Sequence, residues 1–132
     1  MAAKPETTFT ASVNRKLPRL LHKEKMNNPY RSGTPDFWYS GSKGDLWVEY
    51  KFIPKLTVRV DNKVELSELQ RIWLNARHAE GRNVAVIVGH PDGGVVLQHP
   101  FPRELATSRI LCSTLTRQEL ADWILSHTGP PL

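Results

Sequence analysis

Two segments decide the reading of this chain: Gly33-Thr34-Pro35-Asp36-Phe37-Trp38-Tyr39 and, after the loop Ser40-Gly41-Ser42-Lys43-Gly44-Asp45, Leu46-Trp47-Val48-Glu49-Tyr50-Lys51. Glycine and proline mark a turn ahead of the first segment. Asp36 to Tyr39 then reads as a strand, and Leu46 to Lys51 as a second that pairs with it as a hairpin. Side chains alternate along a strand, so Leu46, Val48 and Tyr50 share one face and Trp47, Glu49 and Lys51 the other. Twelve residues separate Asp36 from Glu49, and the hairpin lets Asp36, Glu49 and Lys51 converge at one point of the sheet.

Two carboxylates meeting on a sheet are hard oxygen donors suited to Mg²⁺ or Mn²⁺. The backbone carbonyl of Tyr50, between the two side chains, can add a third oxygen. An ion held there can bind a phosphate oxygen and lower the pKa of a bound water. Lys51 can orient the attacking water or neutralise charge that develops on phosphorus. Isolated Asp…Glu-X-Lys triples are common on solvated hairpins. Here the Pro-Asp pair follows a glycine turn, the Glu-X-Lys lies inside an apolar strand, and a basic stretch follows at once.

Outward from the hairpin, Phe9, Val13 and Leu17 recur every four residues and predict an amphipathic helix over Glu6–Leu17, ended by Pro18. Leu20, Leu21 and Met26 lie among charges and suggest an extended segment. Residues 53–63, with Lys55, Arg59 and Lys63 four apart, read as a basic loop that can contact phosphates together with Lys43. Ser67 opens a helix whose apolar stripe is read as Leu69, Ile72, Trp73 and Ala76, and Gly81 stops it. Val84 to Val88 is an apolar run suited to a strand covered on both faces. Asp92-Gly93-Gly94 turns the chain into the shorter strand Val95-Val96-Leu97. Thr116 and Glu119 form a capping box for a last helix through Ser126. The expected fold is α/β, a mixed central sheet flanked by helices, in a single domain spanning 1–132.

Composition sets the bounds. The chain has 132 residues, a hydrophobic fraction of 39% and a net charge of +5. Residues 1–63 hold 12 Lys/Arg against 6 Asp/Glu, and residues 64–132 hold 6 against 7, so the positive excess lies in the first half. That suits an anionic partner, or simply a solvated basic face. The single cysteine, Cys112, rules out an intramolecular disulfide and a cysteine-built zinc site, and it reads as a small buried hydrophobe. The five histidines lack zinc-ligand spacing. No apolar stretch reaches membrane-span length and no apolar signal core stands at the N-terminus, so the expected setting is cytoplasmic, with no membrane partner. Trp38 and Trp47, beside the converging carboxylates, can stack on bases or fill the core.

Gly-Thr-Pro-Asp-Phe followed by Leu-Trp-Val-Glu-Tyr-Lys resembles the core of the PD-(D/E)XK nucleases. The arrangement is similar to small phage junction-resolving endonucleases and virus-type replication-repair nuclease domains, over about residues 6 to 90. The resemblance implies a restriction-endonuclease-like core of helix, three strands, helix and strand. It also implies phosphodiester hydrolysis with one or two divalent ions. It assigns two further positions. A glutamate on the first helix often supports the metal or its water; Glu6 is the candidate, equally readable as a first-turn glutamate favoured by the helix dipole, with Glu24 as runner-up. A glutamine on the helix after the Glu-X-Lys strand faces the site; within Leu66-Ser67-Glu68-Leu69-Gln70-Arg71-Ile72-Trp73 this is Gln70, which can instead serve only a capping box with Ser67.

The expected function is therefore metal-dependent endonucleolytic cleavage of DNA. Junction resolution or recombination stands first and restriction or host-DNA degradation close behind. The resemblance and compact size suggest a phage or mobile element and the host cytoplasm. Cutting two strands takes two sites, which points to a symmetric homodimer. The alternative is a catalytically inactive nuclease-fold module that binds nucleic acid, and a third class is a phage protein that inhibits a host protein.

Overall fold

The computed structural model describes residues 4–26, 33–54, 63–101, 103–106 and 114–131. The elements are α1 (Pro5–Asn14), β1 (His22–Lys25), β2 (Phe37–Ser40), β3 (Asp45–Phe52), β4 (Lys63–Glu65), α2 (Glu68–Ala79), β5 (Val84–His90), β6 (Gly93–Leu97), β7 (Glu104–Ala106) and α3 (Arg117–Thr128). One sheet runs β1-β2-β3-β5-β6, and β4 pairs with β7 in a separate two-stranded sheet. β3 and β5 are parallel, joined through α2, while the other pairs are antiparallel. This is the mixed α/β sheet that the pattern predicts.

The sheet has helices on both faces. Alternation along β3 sends Leu46, Val48 and Tyr50 into a core shared with Phe9 and Val13 of α1 and Leu120 and Ile124 of α3. The opposite face, with Val84, Val86 and Val88 of β5 and the flank of Trp47, packs under Leu74 and Trp73 of α2. Every residue of β5 is buried, as a continuous apolar run in a strand covered on both faces should be. Gly89 lies directly against the Phe9 ring, where a Cβ would collide, so α1 packs close to the sheet.

Most boundaries follow their signals. The predicted first helix is shorter, ending at Asn14 rather than Leu17, with Pro5 in its first turn. Leu17 is nevertheless buried. β2 starts at Phe37, leaving Asp36 just ahead of it. The turn between β5 and β6 falls on Pro91 and Asp92, with Gly93 already in the strand. Both capping boxes form: Ser67 with Gln70 on α2 and Thr116 with Glu119 on α3, which continues to Thr128.

The extended segment expected after Pro18 is the edge strand β1, whose sequence His-Lys-Glu-Lys has no apolar alternation, and two other expectations are corrected. Pairing with β2 makes it a strand, and its charges blunt an open edge. Lys63 starts β4 rather than closing a loop; residues 55–62, including Lys55 and Arg59, lie outside the described residues, as does Cys112. The buried face of α2 is also rotated from the predicted stripe: Leu69 and Ile72 are 53% and 55% exposed, whereas Leu74 is fully buried. Gln70, Trp73 and Leu74, at helical spacing, turn toward the sheet. Among the described residues no helix is long and apolar enough to cross a membrane.

Leu74→Ala should lower unfolding free energy by about 2–5 kcal/mol, the usual cost of truncating a core leucine. Ile72→Ala should change it by less than about 0.5 kcal/mol. Urea denaturation of both variants checks the orientation of α2, and similar losses would contradict it.

Candidate active site

The site forms where β2 begins and β3 approaches its end. Phe37 pairs with Val48, which leaves Asp36 beyond the last rung. Its Oδ2 accepts the Tyr50 backbone N–H at 2.9 Å, so the carboxylate takes the place of the missing partner strand. A strand residue's N–H and C=O leave the same edge. The Tyr50 carbonyl therefore opens on the Asp36 side, as the sequence reading requires. On the buried side, the Tyr50 hydroxyl is 2.7 Å from that of Tyr39, which donates to Asn14 Oδ1 at 2.7 Å. This chain of hydroxyls anchors the strand to α1.

Glu49 and Lys51 face α2. Gln70 Nε2 donates to Glu49 Oε2 at 3.0 Å, and Lys51 Nζ donates to Gln70 Oε1 at 3.1 Å. Lys51 Nζ also stands 3.5 Å from Glu49 Oε2. Gln70 Oε1 accepts the Ser67 N–H at 2.9 Å as well. The cap and the site contact, alternatives in the sequence, are thus made by one amide. Gly33 fixes the other side: its backbone, at φ +94°, lies against the Leu69 carbonyl of α2, where a Cβ would collide. The turn ahead of Asp36 is thereby held against the helix that carries Gln70.

Glu6, in the first turn of α1, shares a cavity of about 210 Å³ with Asp36, Lys25, Thr10 and Asn14. Glu24 is not brought there; its carboxylate is exposed and 3.3 Å from His22. Lys43 sits at the opposite end of the hairpin, where Nζ donates to the Ser126 carbonyl at 3.3 Å. It precedes β3, whose first residue, Asp45, is four residues and about 13 Å from Glu49 at the usual rise per residue; its side chain tethers the end of α3. Trp38 and Trp47 stack at 5.6 Å, and Trp47 meets Trp73 at 5.4 Å, as core packing would have it. Lys25 was not singled out in the sequence, because only the pairing of β1 with β2 brings it beside Phe37 and Asp36.

The electrostatics describe a crowded carboxylate cluster. Burial, then the charge of Asp36, pushes the Glu49 carboxyl up to about 8, with Lys51 working against the rise. Burial also raises Asp36, opposed by the Tyr50 N–H and by Lys51 and Lys25. Glu6 is raised by burial and next by Asp36. Among the described residues no three His, Cys, Asp or Glu side chains are gathered as a ready-made metal cage. The donors that could hold a hard cation are Asp36, Glu49 and the Tyr50 carbonyl, with Glu6 behind Asp36. Such a set fits Mg²⁺, which keeps waters and uses one or two carboxylates plus substrate phosphate. Mutually repelling, half-desolvated carboxyls are also what a divalent charge would relieve.

Among solved structures, the fold is similar to that of Hjc from Archaeoglobus fulgidus, a Holliday junction resolvase from an archaeal hyperthermophile, determined at 1.6 Å. The match covers 88% of this chain and 99% of that one, with a TM-score of 0.54 and 12% identity. At that identity the likeness is one of fold: a mixed α/β sheet flanked by helices. α1, β1–β3, α2 and β5 supply the helix, three strands, helix and strand implied by the sequence resemblance, with β4 inserted before α2. No family model matches the chain, and no curated protein sequence does.

The Glu49 shift has a consequence for stability. Its folded pKa lies above the ordinary value of 4.5, so the favourable contribution is complete below that value and is lost as pH rises through about 8. Metal-free protein should lose stability between pH 5 and 9, on the order of a few kcal/mol. Glu49→Gln should flatten that loss, and Mg²⁺ at pH 8 should raise the melting temperature of wild type more than that of the variant. Thermal melts with EDTA or Mg²⁺ measure both; a variant with the wild-type pH slope would contradict the assignment.

Proposed function

We propose that this protein is a metal-dependent endonuclease that hydrolyses phosphodiester bonds in DNA, with branched DNA of the Holliday-junction type as its substrate. The observation that carries the reading is the Gln70 amide joining Glu49 to Lys51 at 3.0 and 3.1 Å, with Asp36, just ahead of β2, holding the Tyr50 N–H between them. The choice of branched DNA is supported by the likeness to a junction resolvase.

Asp36, Glu49 and the Tyr50 carbonyl would hold Mg²⁺ or Mn²⁺. Bound there, the ion supplies charge neutralisation at a phosphate oxygen and a lower pKa for water. The chain's own groups do the rest. Gln70 fixes the Glu49 carboxylate and the Lys51 ammonium in one geometry, so neither must be reorganised when DNA enters. Lys51 donates its N–H groups toward the water or a phosphate oxygen. Glu6, across the cavity from Asp36, can accept a hydrogen bond from an ordered water. Hydrolysis adds water across the P–O bond, which breaks as the leaving oxygen takes up a proton. Resolution of a junction takes two cuts, so a two-fold pair of chains is the working assembly.

Asp36→Asn keeps the side chain's size and removes a charged oxygen donor. It should slow cleavage of a four-way junction in Mg²⁺ by at least about 100-fold while DNA binding in Ca²⁺ stays equal or strengthens, since one negative charge near phosphate is gone. Lys51→Ala should lose cleavage comparably and keep metal binding. The measurement is a single-turnover time course on junction and supercoiled DNA with Mg²⁺, Mn²⁺ or EDTA, beside a binding titration in Ca²⁺. Wild type that binds DNA but cuts nothing in Mg²⁺ or Mn²⁺ would make the chain a binding module. Cleavage by Asp36→Asn at the wild-type rate would locate the activity elsewhere.

A further inference from the structure

Two open cavities border the carboxylate cluster on opposite sides. One, of about 210 Å³, contains Glu6 and Asp36 and is edged by Lys25. The other, of about 490 Å³, contains Lys51 and Gln70 and is edged by Arg103. The cluster lies between them, with Asp36 opening to the first and Lys51 to the second. A chain of phosphates laid over the site would pass from one cavity to the other.

The cations at the two ends are set apart by their place beside the cavities. Among the described residues, Arg71, Arg77 and Arg82 each pair with a glutamate, at 3.6, 3.0 and 3.2 Å. Lys23 is tied to backbone carbonyls. Among the described residues, Lys25 and Arg103 are exposed and have no carboxylate within ion-pair distance, like Arg15, Lys16 and Arg19, but of these five they alone line the cavities beside the cluster, where the charge of Lys25 also acts on Asp36 and Glu6. Both are held by backbone: Lys25 pairs with Phe37 at the register next to Asp36, and the Arg103 carbonyl accepts the Leu66 N–H at 3.1 Å, just ahead of α2. The Arg103 cavity also carries Glu65 and Glu68, but Glu68 is partnered by Arg71. An unpaired cation beside a cavity, mounted on a hydrogen-bonded backbone, is ready to bind an anion without first breaking an ion pair.

We propose that Lys25 and Arg103 are the two phosphate-binding ends of a track that carries a nucleic-acid strand across the site, gripping the backbone on either side of the bond to be cut. The inference rests on the nuclease reading. It gives the two residues a positioning role: they bind the phosphates that flank the scissile one and do not touch the reacting atoms. Phosphate contacts set register and orientation without reading bases. The track thus accounts for strand placement and leaves any preference for branched DNA to the shape of the rest of the surface.

The test separates placement from chemistry. Lys25→Ala, Arg103→Ala, the double variant and Lys25→Arg are compared with wild type and with Arg19→Ala, an exposed cation that borders neither cavity. Affinity for a fluorescent four-way junction is measured in Ca²⁺ over a range of salt, and single-turnover cleavage at saturating DNA is measured in Mg²⁺. Each alanine variant should weaken binding by about three- to tenfold on every sequence tried, and the double variant should flatten the plot of log affinity against log salt by about 1 to 2. The rate of Arg103→Ala at saturating DNA should stay within about twofold of wild type, and Lys25→Arg, which keeps the charge beside Asp36, should match wild type in rate and recover most of the affinity. Wild-type affinity and salt slope in both alanine variants, with wild type still cutting, would overturn the track and leave the nuclease reading intact. A slower rate at saturation with unchanged affinity would overturn it too, by placing the residues in the chemistry. Wild type that neither binds nor cuts would remove both readings together.

Discussion

The Gln70 side chain is the contact on which the site's geometry depends. Its oxygen accepts from the Ser67 backbone and from Lys51, and its nitrogen donates to Glu49. One amide thus closes the first turn of α2 and locks a carboxylate and an ammonium carried by β3. Glu49 is only 4% exposed, and a carboxyl so buried is costly unless it is hydrogen-bonded and faces positive charge. Gln70 and Lys51 together meet that requirement. An alanine at position 70 would loosen the cap and leave Glu49 with Lys51 alone, so helix entry and site geometry are coupled through a single residue.

The second constraint is the two-residue period of β3. Because successive side chains point to opposite faces, Val48 and Tyr50 enter the α1–α3 core while Glu49 and Lys51 face α2. A one-residue slip in the pairing with β2 would exchange the two sets. The core side resists that slip. Tyr50 is fully buried, its hydroxyl bonded to Tyr39, and its ring meets Phe9 and Phe37 edge-on at 6.4 and 5.8 Å. Hydrophobic burial on one face therefore fixes the register that chemistry needs on the other.

How much of this was legible in the sequence depended on which residues set the structure. The β2–β3 hairpin, β5 and the capping boxes were legible because their signals are local: alternation, an apolar run, a Ser or Thr three residues before Gln or Glu. The convergence of Asp36, Glu49, Lys51 and Gln70 followed from strand alternation and from the resemblance. β1 was only half legible, since His22 to Lys25 are polar and become a strand through their partner. The face of α2 was misread because Leu69 and Ile72 are apolar yet exposed, whereas Gln70 turns inward; hydrophobicity and burial part company where a helix must deliver a polar group to a sheet. Lys43, read as a phosphate contact, stands at the far end of the hairpin from Glu49, its ammonium on the carbonyl of Ser126.

A cluster such as Glu6, Asp36 and Glu49 runs against folding economy. Each carboxyl is raised by burial, and Asp36 raises the other two. Lys51 and Lys25 offset part of the repulsion, and an amide at position 49 would remove most of it. Buried, mutually repelling acids persist where their charge meets something the folded chain alone does not supply. Two arrangements narrow what that is. The Tyr50 N–H holds Asp36 with one oxygen, leaving the other uncommitted, and the Tyr50 carbonyl leaves the same edge of β3. Uncommitted carboxylate and carbonyl oxygens, flanked by one ammonium engaged with Glu49 and Gln70, form an environment for a small cation that in turn attracts a phosphate. Organic cations would find no aromatic box here, and a soft metal would find no thiolate or imidazole among the described side chains of the cluster. The donor chemistry therefore favours a hard divalent ion, and the unpaired cations at either end favour a polyanion laid across it.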